Sequence, residues 1–176
     1  MTPTIIYSPL VKAFKMANLE YVSPFFIVAK LQDSVSFYIN KLGFELRFIG
    51  PANDPYFAIV GRDKVSIMLK EIAKDIKPVP NHSRHGWARW DAYISAADPD
   101  SLFDEYRSAG LSFHQPIMDD VDGLRGFEIE DADGYMLFFG RPNQWSLFCF
   151  SRGGKSFTTG CLSARPCVEL SRQFIK

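Results

Sequence analysis

An internal repeat constrains the fold most, because two stretches of this chain follow the same order of sequence patterns. Residues 25–48 and 92–113 each begin with a short apolar strand pattern, pass through Asp-Ser into an amphipathic helix pattern, and reach a glycine. A shift of about 67 positions superposes Asp33-Ser34 on Asp100-Ser101 and Gly43 on Gly110. Self-similarity of this kind indicates a repeated supersecondary unit. We therefore predict two copies of one module.

Each module is predicted to have the order βαβββ. The first spans residues 21–71, with a helix capped by Asp33 or Ser34 and ended by Gly43. Its strands are predicted at 25–30, 44–49, 56–60 and 64–70. The second spans 90–142, with a helix at 101–109 and strands at 91–96, 112–115, 126–129 and 136–140. Prolines and glycine make the segment 72–89 a linker.

The two ends of the chain match neither module. We interpret residues 1–20 as an N-terminal extension and 143–176 as an atypical tail that carries Cys149, Cys161 and Cys167. Their spacing forms neither a disulfide framework nor a zinc motif, so we expect free thiols in a reducing compartment. Neither a signal-peptide pattern nor an apolar run of about 20 residues is evident. A cytoplasmic protein with no membrane partner is expected.

Composition favours one compact domain and argues against some partners. The chain has 176 residues, 47% of them apolar, and equal numbers of basic and acidic residues. Its length is enough for a substantial core. A nucleic-acid-binding surface would show as an excess of basic residues, which is lacking here. We expect a small-molecule partner and no nucleic acid.

Three motifs carry a family resemblance. Asp33-Ser34-Val35-Ser36-Phe37-Tyr38, Leu42-Gly43-Phe44 and the run from Asp131 to Gly140 resemble the glyoxalase, bleomycin-resistance and extradiol-dioxygenase superfamily over about residues 21–142. The resemblance implies an α+β fold in which two βαβββ modules form a curved mixed sheet with the ligand on its concave face. It also implies a homodimer, as in many members. Since the superfamily contains both enzymes and drug-sequestering proteins, the site must decide the function.

The superfamily's metal site is predicted to be absent. Enzymes of this superfamily commonly place a histidine at the start of the first strand of a module and a glutamate on its last strand. The corresponding positions here are Ser23 or Pro24, Met68, Trp90 or Asp91, and Phe138. Of these, only Asp91 offers a usual metal ligand. His82 and His85 could bind a metal in the linker but lack a nearby carboxylate, and His114 is read as solvated. We expect no cofactor and lean against an enzyme.

The ligand-binding residues are predicted from strand alternation and from aromatic residues near the cleft. They are Phe25, Tyr56, Met68, Trp87, Trp90, Asp91, Tyr93, Arg125, Met136 and Phe138. Such an aromatic lining suits a planar or cationic ligand. Met68 and Phe138 could instead close the core between the half-sheets, Trp87 and Trp90 could be dimer contacts, and the acidic loop that holds Arg125 could be solvated.

The leading hypothesis is a binding protein of the bleomycin-resistance type, the branch that the final strand at 136–140 resembles most. It would sequester an aromatic or cationic ligand, such as a bleomycin-like antibiotic, in a metal-free cleft of a homodimer. The alternative is a metal-dependent lyase, isomerase or dioxygenase in which Asp91 is joined by His114, Glu128 or Glu130. A small-molecule sensor, or a module whose dimer surface binds another protein, is a third possibility.

Overall fold

The computed structural model describes residues 20–143, so almost all of the predicted extension and tail, with the three cysteines, lies outside the described residues. The described elements are β1 (Phe25–Ile27), α1 (Leu31–Asn40), β2 (Glu45–Gly50), β3 (Phe57–Arg62), β4 (Val65–Lys70), α2 (Asn81–Arg84), β5 (Ala92–Ser95), α3 (Pro99–Ser108), β6 (Gln115–Asp119), β7 (Leu124–Glu130) and β8 (Met136–Pro142). Among them, no helix is long and apolar enough to cross a membrane.

The predicted module order is confirmed. Each module contributes a four-stranded mixed sheet, in the order β1-β4-β3-β2 for the first and β5-β8-β7-β6 for the second. The first strand of each module pairs parallel with the last, and the remaining pairs are antiparallel. The α+β fold class expected from the sequence is therefore correct.

In the first strand and the helix, the structure relates the two modules by a shift of 68 positions, one more than the sequence alignment used. Phe25 pairs with Met68 in the first module, and Tyr93 pairs with Phe138 in the second. Phe25 therefore corresponds to Tyr93, and the helices begin 68 residues apart, at Leu31 and Pro99. The shift of 67 matched the glycines instead, because the segment from helix end to glycine is one residue shorter in the second module.

Local details of three elements differ from prediction. Lys30, rather than Asp33 or Ser34, is the N-cap of α1, because the helix begins at Leu31. Strand β6 begins at Gln115, later than predicted, and Phe113 before it packs against Phe103 of α3 at 4.4 Å between ring centroids. Arg125 belongs to β7 rather than to the acidic loop, which is reduced to residues 120–123.

One hydrophobic core spans both modules. The sheet residues that face the helices are almost fully buried, and they include Val60 and Leu69 from the first module and Phe127 and Leu137 from the second. Burial of each such side chain contributes about 1.5 to 3 kcal/mol. Within the described part of the chain, Met68 and Phe138 lie outside this core cluster. Phe138 is nevertheless only 1% exposed, so the interpretation that these two side chains close the core between the half-sheets stays a prediction.

The turn between β7 and β8 joins the second module to the first. The Asp131 carboxylate accepts hydrogen bonds from its own turn, at Asp133 N and Tyr135 N, and from Tyr38 Oη of α1 at 2.7 Å. Asp133 accepts from Ala29 N and Ser34 Oγ, also in the first module. Tyr135 donates to Ile27 O and stacks on Phe26, with ring centroids 4.3 Å apart. We call this set of contacts the inter-module clamp.

Asp91 fastens the linker to the last strand. Its Oδ1 accepts a hydrogen bond from Asn81 N at the start of α2, and its Oδ2 accepts from Met136 N in β8, both at 2.8 Å. Carboxylate acceptors of this kind satisfy backbone amides that would otherwise be left without a partner. This bonding holds the chain that leads into β5 against β8.

Asp131 is expected to make stability depend on pH. Burial raises the pKa of Asp131 to about 6, whereas an unfolded aspartate has a pKa of about 3.9. The folded protein therefore holds this proton more tightly, so its stabilising effect is complete below about pH 4 and is lost as the pH rises through about 6. The Asp131→Asn variant lacks this titration. Between about pH 4 and 7, wild-type stability should fall relative to the variant by on the order of 2 to 3 kcal/mol.

Urea unfolding of both proteins across this pH range measures that difference. The exposed Asp75 provides a matched control, and Asp75→Asn should leave the pH dependence of the wild type unchanged. A wild type that gains stability over the variant as the pH rises would contradict the expectation.

Candidate functional site

Each sheet has an open face, which we define as the face turned away from the hydrophobic core. Alternation along the strands separates the two faces. Phe25 is 50% exposed, whereas its neighbour Phe26 is 5% exposed. The open face of the first module carries Phe25 and Met68, and that of the second carries Tyr93, Glu128 and Phe138. These faces present four of the predicted ligand-binding residues, namely Phe25, Met68, Tyr93 and Phe138.

Three aromatic rings stack on the open face of the second module, and we call them the aromatic cluster. Phe138 stacks on Trp90 and on Tyr93, with centroid distances of 4.3 Å and 5.4 Å, and the centroids of Trp90 and Tyr93 are 6.1 Å apart. Phe138 is only 1% exposed, while Tyr93 is 44% exposed. Gly126 and Gly140 make room for Phe138, because a Cβ at either position would approach its ring to within 2.4 or 2.6 Å. Tyr93 therefore presents the accessible ring of a rigid stack.

An acidic cluster of Asp120, Asp122 and Glu128 lies beside these rings. Glu128 Oε1 accepts hydrogen bonds from Trp90 Nε1 at 2.7 Å and from Arg89 Nη2 at 3.0 Å. Arg89 Nη1 lies 3.4 Å from Asp122 Oδ2 and 3.7 Å from Asp120 Oδ2. The side chains of Asp120 and Glu128 are each 6% exposed. Two nearly buried carboxylates therefore share one guanidinium with a third that is exposed.

The electrostatics of Tyr93 reflect this surrounding. Burial raises the pKa of the Tyr93 hydroxyl, and the negative charge of Asp120 raises it further. A group near uncompensated negative charge keeps its proton, since ionisation would add another negative charge. Tyr93 thus remains a neutral ring at a surface that favours cations.

The open face of the first module is aromatic. Phe25 and Phe48 each pack near Phe57, with centroids 6.2 Å and 6.0 Å apart. Lys70 Nζ lies 5.9 Å from the ring centroid of Tyr56. A shallow cavity of about 360 Å³ opens here, lined by Phe25, Phe48, Gly50, Pro51, Tyr56, Phe57 and Lys70. Two of the predicted residues, Phe25 and Tyr56, therefore share one cavity, and Met68 lies next to Phe25 in the paired strand.

The ligand-binding role of all ten predicted residues stays a prediction, and four of them lie in different surroundings. Trp87 is almost fully exposed beside His85. Asp91 uses both oxygens for backbone amides. Arg125 pairs with Asp100 of α3 and with Asp119, both of which raise its pKa. Met136 is buried at the start of β8.

A second cavity, of about 420 Å³, lies where the β3–β4 turn approaches the start of α3. Its walls include Phe44, Arg62, Asp63, Lys64, Val65, Ile94, Ser95, Ala96, Ala97, Asp98, Leu102, Tyr106 and Phe139. Among the described residues that line it, none belongs to the predicted ligand-binding set. Several of its apolar walls are members of the hydrophobic core. We therefore place the candidate site on the open faces, where aromatic rings and charges converge.

The side chains at the superfamily's metal positions do not fit a metal. These positions hold Ser23 or Pro24, Met68, Trp90 or Asp91, and Phe138. Divalent ions in proteins take carboxylate, imidazole or thiolate ligands. Residues 20–143 contain no group of three or more such side chains that could hold an ion. His114 Nε2 comes within 3.9 Å of Glu128 Oε2, but Asp91, the third proposed ligand, is committed to backbone amides.

Sequence reasoning missed Arg89 and the way Asp120 and Glu128 surround it. Glu128 alternates with the apolar residues Phe127 and Ile129. That alternation places a carboxylate on the face opposite the core, and this signal could have been used. Arg89 gave no comparable signal, because its contacts depend on how the linker returns to the sheet.

Comparison with solved structures shows what the fold is similar to, whereas the comparison with curated proteins gave no match. A bleomycin-binding protein from Streptomyces verticillus, complexed with copper(II)-bleomycin, shares 24% identity, with 70% of this chain and 97% of that chain covered and a TM-score of 0.51. TnmS3, an antibiotic binding protein from Streptomyces sp. CB03234, shares 16% identity over 70% and 97% of the two chains, with a TM-score of 0.52.

An enzyme relative has a comparable fold. A glyoxalase-related enzyme from Clostridium phytofermentans shares 13% identity, covering 72% of this chain and 98% of that chain, with a TM-score of 0.55. At these identities the similarity shows the fold alone. The family model for the Glyoxalase/Bleomycin resistance protein/Dioxygenase superfamily matches residues 19–139, more than half of the sequence. The two βαβββ modules agree with this match, and the chain belongs to the glyoxalase/bleomycin resistance protein/dioxygenase superfamily.

Proposed function

We propose that this protein sequesters a small aromatic or cationic molecule in a metal-free cleft, without a chemical step. The observation that carries the proposal is the half-exposed ring of Tyr93, stacked on the aromatic cluster beside the acidic cluster. An aromatic ligand gains about 0.5 to 1.5 kcal/mol from each ring pair beyond the burial of area. A positive charge on that ligand would also be attracted to the surplus carboxylates.

Structural neighbours support a binding role in general terms. Proteins with this fold include ones whose names describe binding of bleomycin or of antibiotics. A bleomycin-like antibiotic is therefore the first ligand to test. The expected cytoplasmic location is part of the same proposal, since capture of a drug inside the cell would protect its target.

We also propose that the protein acts as a homodimer whose second copy closes the cleft. Phe25, Phe48 and Tyr56 are each about half exposed on the open face of the first module. Contiguous apolar surface of this kind is usually an interaction site in a soluble protein. A second copy that covered these rings would also give the cleft a second wall.

The alternative of a metal-dependent lyase, isomerase or dioxygenase is favoured by no observation in residues 20–143. Its ligand set requires Asp91 together with His114, Glu128 or Glu130. Asp91 bonds two backbone amides, and Glu128 bonds Arg89 and Trp90. Because Asp91 also holds the linker in place, substitution of Asp91 would test stability and metal binding together. Metal titration of the unaltered protein is the cleaner experiment.

Bleomycin without metal should quench tryptophan fluorescence of the purified protein in the presence of a chelator. Tyr93→Ala should raise the dissociation constant by about tenfold, since it removes the accessible ring of the stack. The exposed Tyr21 offers a matched control, and Tyr21→Ala should bind as the wild type does. Mass spectrometry should recover the ligand unchanged. A chemically altered ligand would refute capture without chemistry, and no saturable binding would refute bleomycin as the ligand.

Divalent metals should leave the melting temperature unchanged. A ligand that binds only the folded state raises stability by RT ln(1 + [L]/Kd). After chelator treatment, we add nickel, zinc, manganese, iron(II) or copper(II), with magnesium as the control. None of the five ions is expected to raise the melting temperature more than magnesium does. A rise of several degrees with one of these ions would support the enzyme alternative instead.

Sedimentation of the purified protein should show a dimer that Phe48→Lys dissociates. A charge placed in the apolar interface should raise the dimer dissociation constant by at least about tenfold, as for an interface hot spot. Ile76→Lys changes an exposed apolar residue of the linker and is the matched control. A wild type that stays monomeric at all tested concentrations would overturn the dimer proposal.

A further inference from the structure

The guanidinium of Arg89 occupies a position suited to a ligand's cation. Its Cζ lies 4.6 Å from the ring centroid of Trp90, close enough for a cation–π contact. Phe138 stacks on Trp90 at 4.3 Å. Part of the indole surface of Trp90 is thus covered by a charged side chain of the protein itself.

The carboxylates around Arg89 carry more charge than it neutralises. Asp120, Asp122 and Glu128 all lie within ion-pair distance of its guanidinium. In residues 20–143, the other such partner is His114, at 3.9 Å from Glu128. With His114 neutral, two negative charges are left uncompensated. Buried carboxylates without enough positive charge are costly, so the cluster gains from a further or stronger cation.

One carboxylate oxygen of Asp120 indicates that the cluster could bind an additional partner. Asp120 Oδ1 accepts hydrogen bonds from Asp122 N and Leu124 N. Asp120 Oδ2 is buried, and among the described residues it has no hydrogen-bond donor. Its nearest cation is Arg89, at 3.7 Å, beyond hydrogen-bonding distance. The side chain is 6% exposed and its free oxygen faces the guanidinium position.

We propose that Arg89 is a built-in competitor that occupies the cation position of the ligand site and thereby sets the ligand's charge selectivity. The ligand class is a planar aromatic cation, whose ring covers the Trp90–Tyr93 surface and whose charge meets Asp120 and Glu128. Arg89 is 37% exposed and can swing toward solvent when the ligand enters. This inference rests on the proposed function and adds the position of the cation and the residue that controls its affinity.

A pair of probes that differ in charge tests the proposal. The probes are 10-methylacridinium, a planar cation, and acridine, which has the same ring system and is uncharged at mildly alkaline pH. Arg89→Met removes the guanidinium but keeps an apolar stem. It should tighten methylacridinium binding by about tenfold, as expected when a cation–π contact and an ion pair become available. Binding of acridine should change by less than about threefold.

Two further variants control for general effects of charge. Arg89→Lys keeps the positive charge and should retain a methylacridinium-to-acridine selectivity close to that of the wild type. Arg107→Met removes an exposed guanidinium that pairs with Asp104 on α3, and it should leave both dissociation constants unchanged. The proposal is overturned if Arg89→Met leaves the selectivity unchanged or weakens binding of the cation.

A measurement on the unaltered protein covers the case in which Arg89→Met does not fold. The Nε–H resonance of Arg89 should move to the position of a solvent-exposed arginine when methylacridinium saturates the protein, and should stay in place with acridine. A resonance that stays in place with both probes overturns the inference. If neither probe binds the wild type or Arg89→Met, the inference also fails, whereas the bleomycin titration decides the proposed function separately.

Discussion

The inter-module clamp is the constraint on which the rest of this structure depends. The turn at residues 131–134 contacts the first module through Asp131, Asp133 and Tyr135, and each of these side chains bonds a partner on α1 or before it. Because these bonds lie at the helix-facing side, they hold the two cores together as one. At the opposite end Arg62 pairs with Glu105, and Tyr106 donates to Leu42 O. Both open faces are therefore turned away from the shared core.

Turning the open faces outward has a direct consequence for function. The apolar side chains that could otherwise fill an interior are left at the surface, where they can meet a ligand or a second copy of the chain. In the second module the aromatic stack is rigid, since glycines at 126 and 140 admit the ring of Phe138 and Glu128 holds the indole of Trp90. A rigid stack loses little conformational entropy when a ligand binds. Its neighbouring carboxylates add a preference for positive charge.

Sequence reasoning was most successful where local patterns reflect tertiary roles. The motifs at 33–38 and 131–140 carried the family resemblance, and in the structure Ser34 and Tyr38 of the first bond Asp133 and Asp131 of the second. Register was harder, because a single missing residue after α3 displaced the self-alignment by one position. In a strand such a slip exchanges the two faces. In the structure Phe25 and Tyr93 occupy the first-strand positions opposite Met68 and Phe138.

The sequence by itself determined the repeated βαβββ order, the superfamily and the aromatic character of the strands, since these follow from periodicity and local motifs. Only the tertiary structure decided which residues meet. Asp91 binds the backbone of the linker, Arg125 pairs with Asp100 of α3, and Arg89 is the cation of the acidic cluster. Such pairings join residues far apart in the chain, and their energy depends on distance and burial. Composition and spacing give neither the distance between two residues nor their burial. The balance of charges at a site is therefore known only from the folded chain.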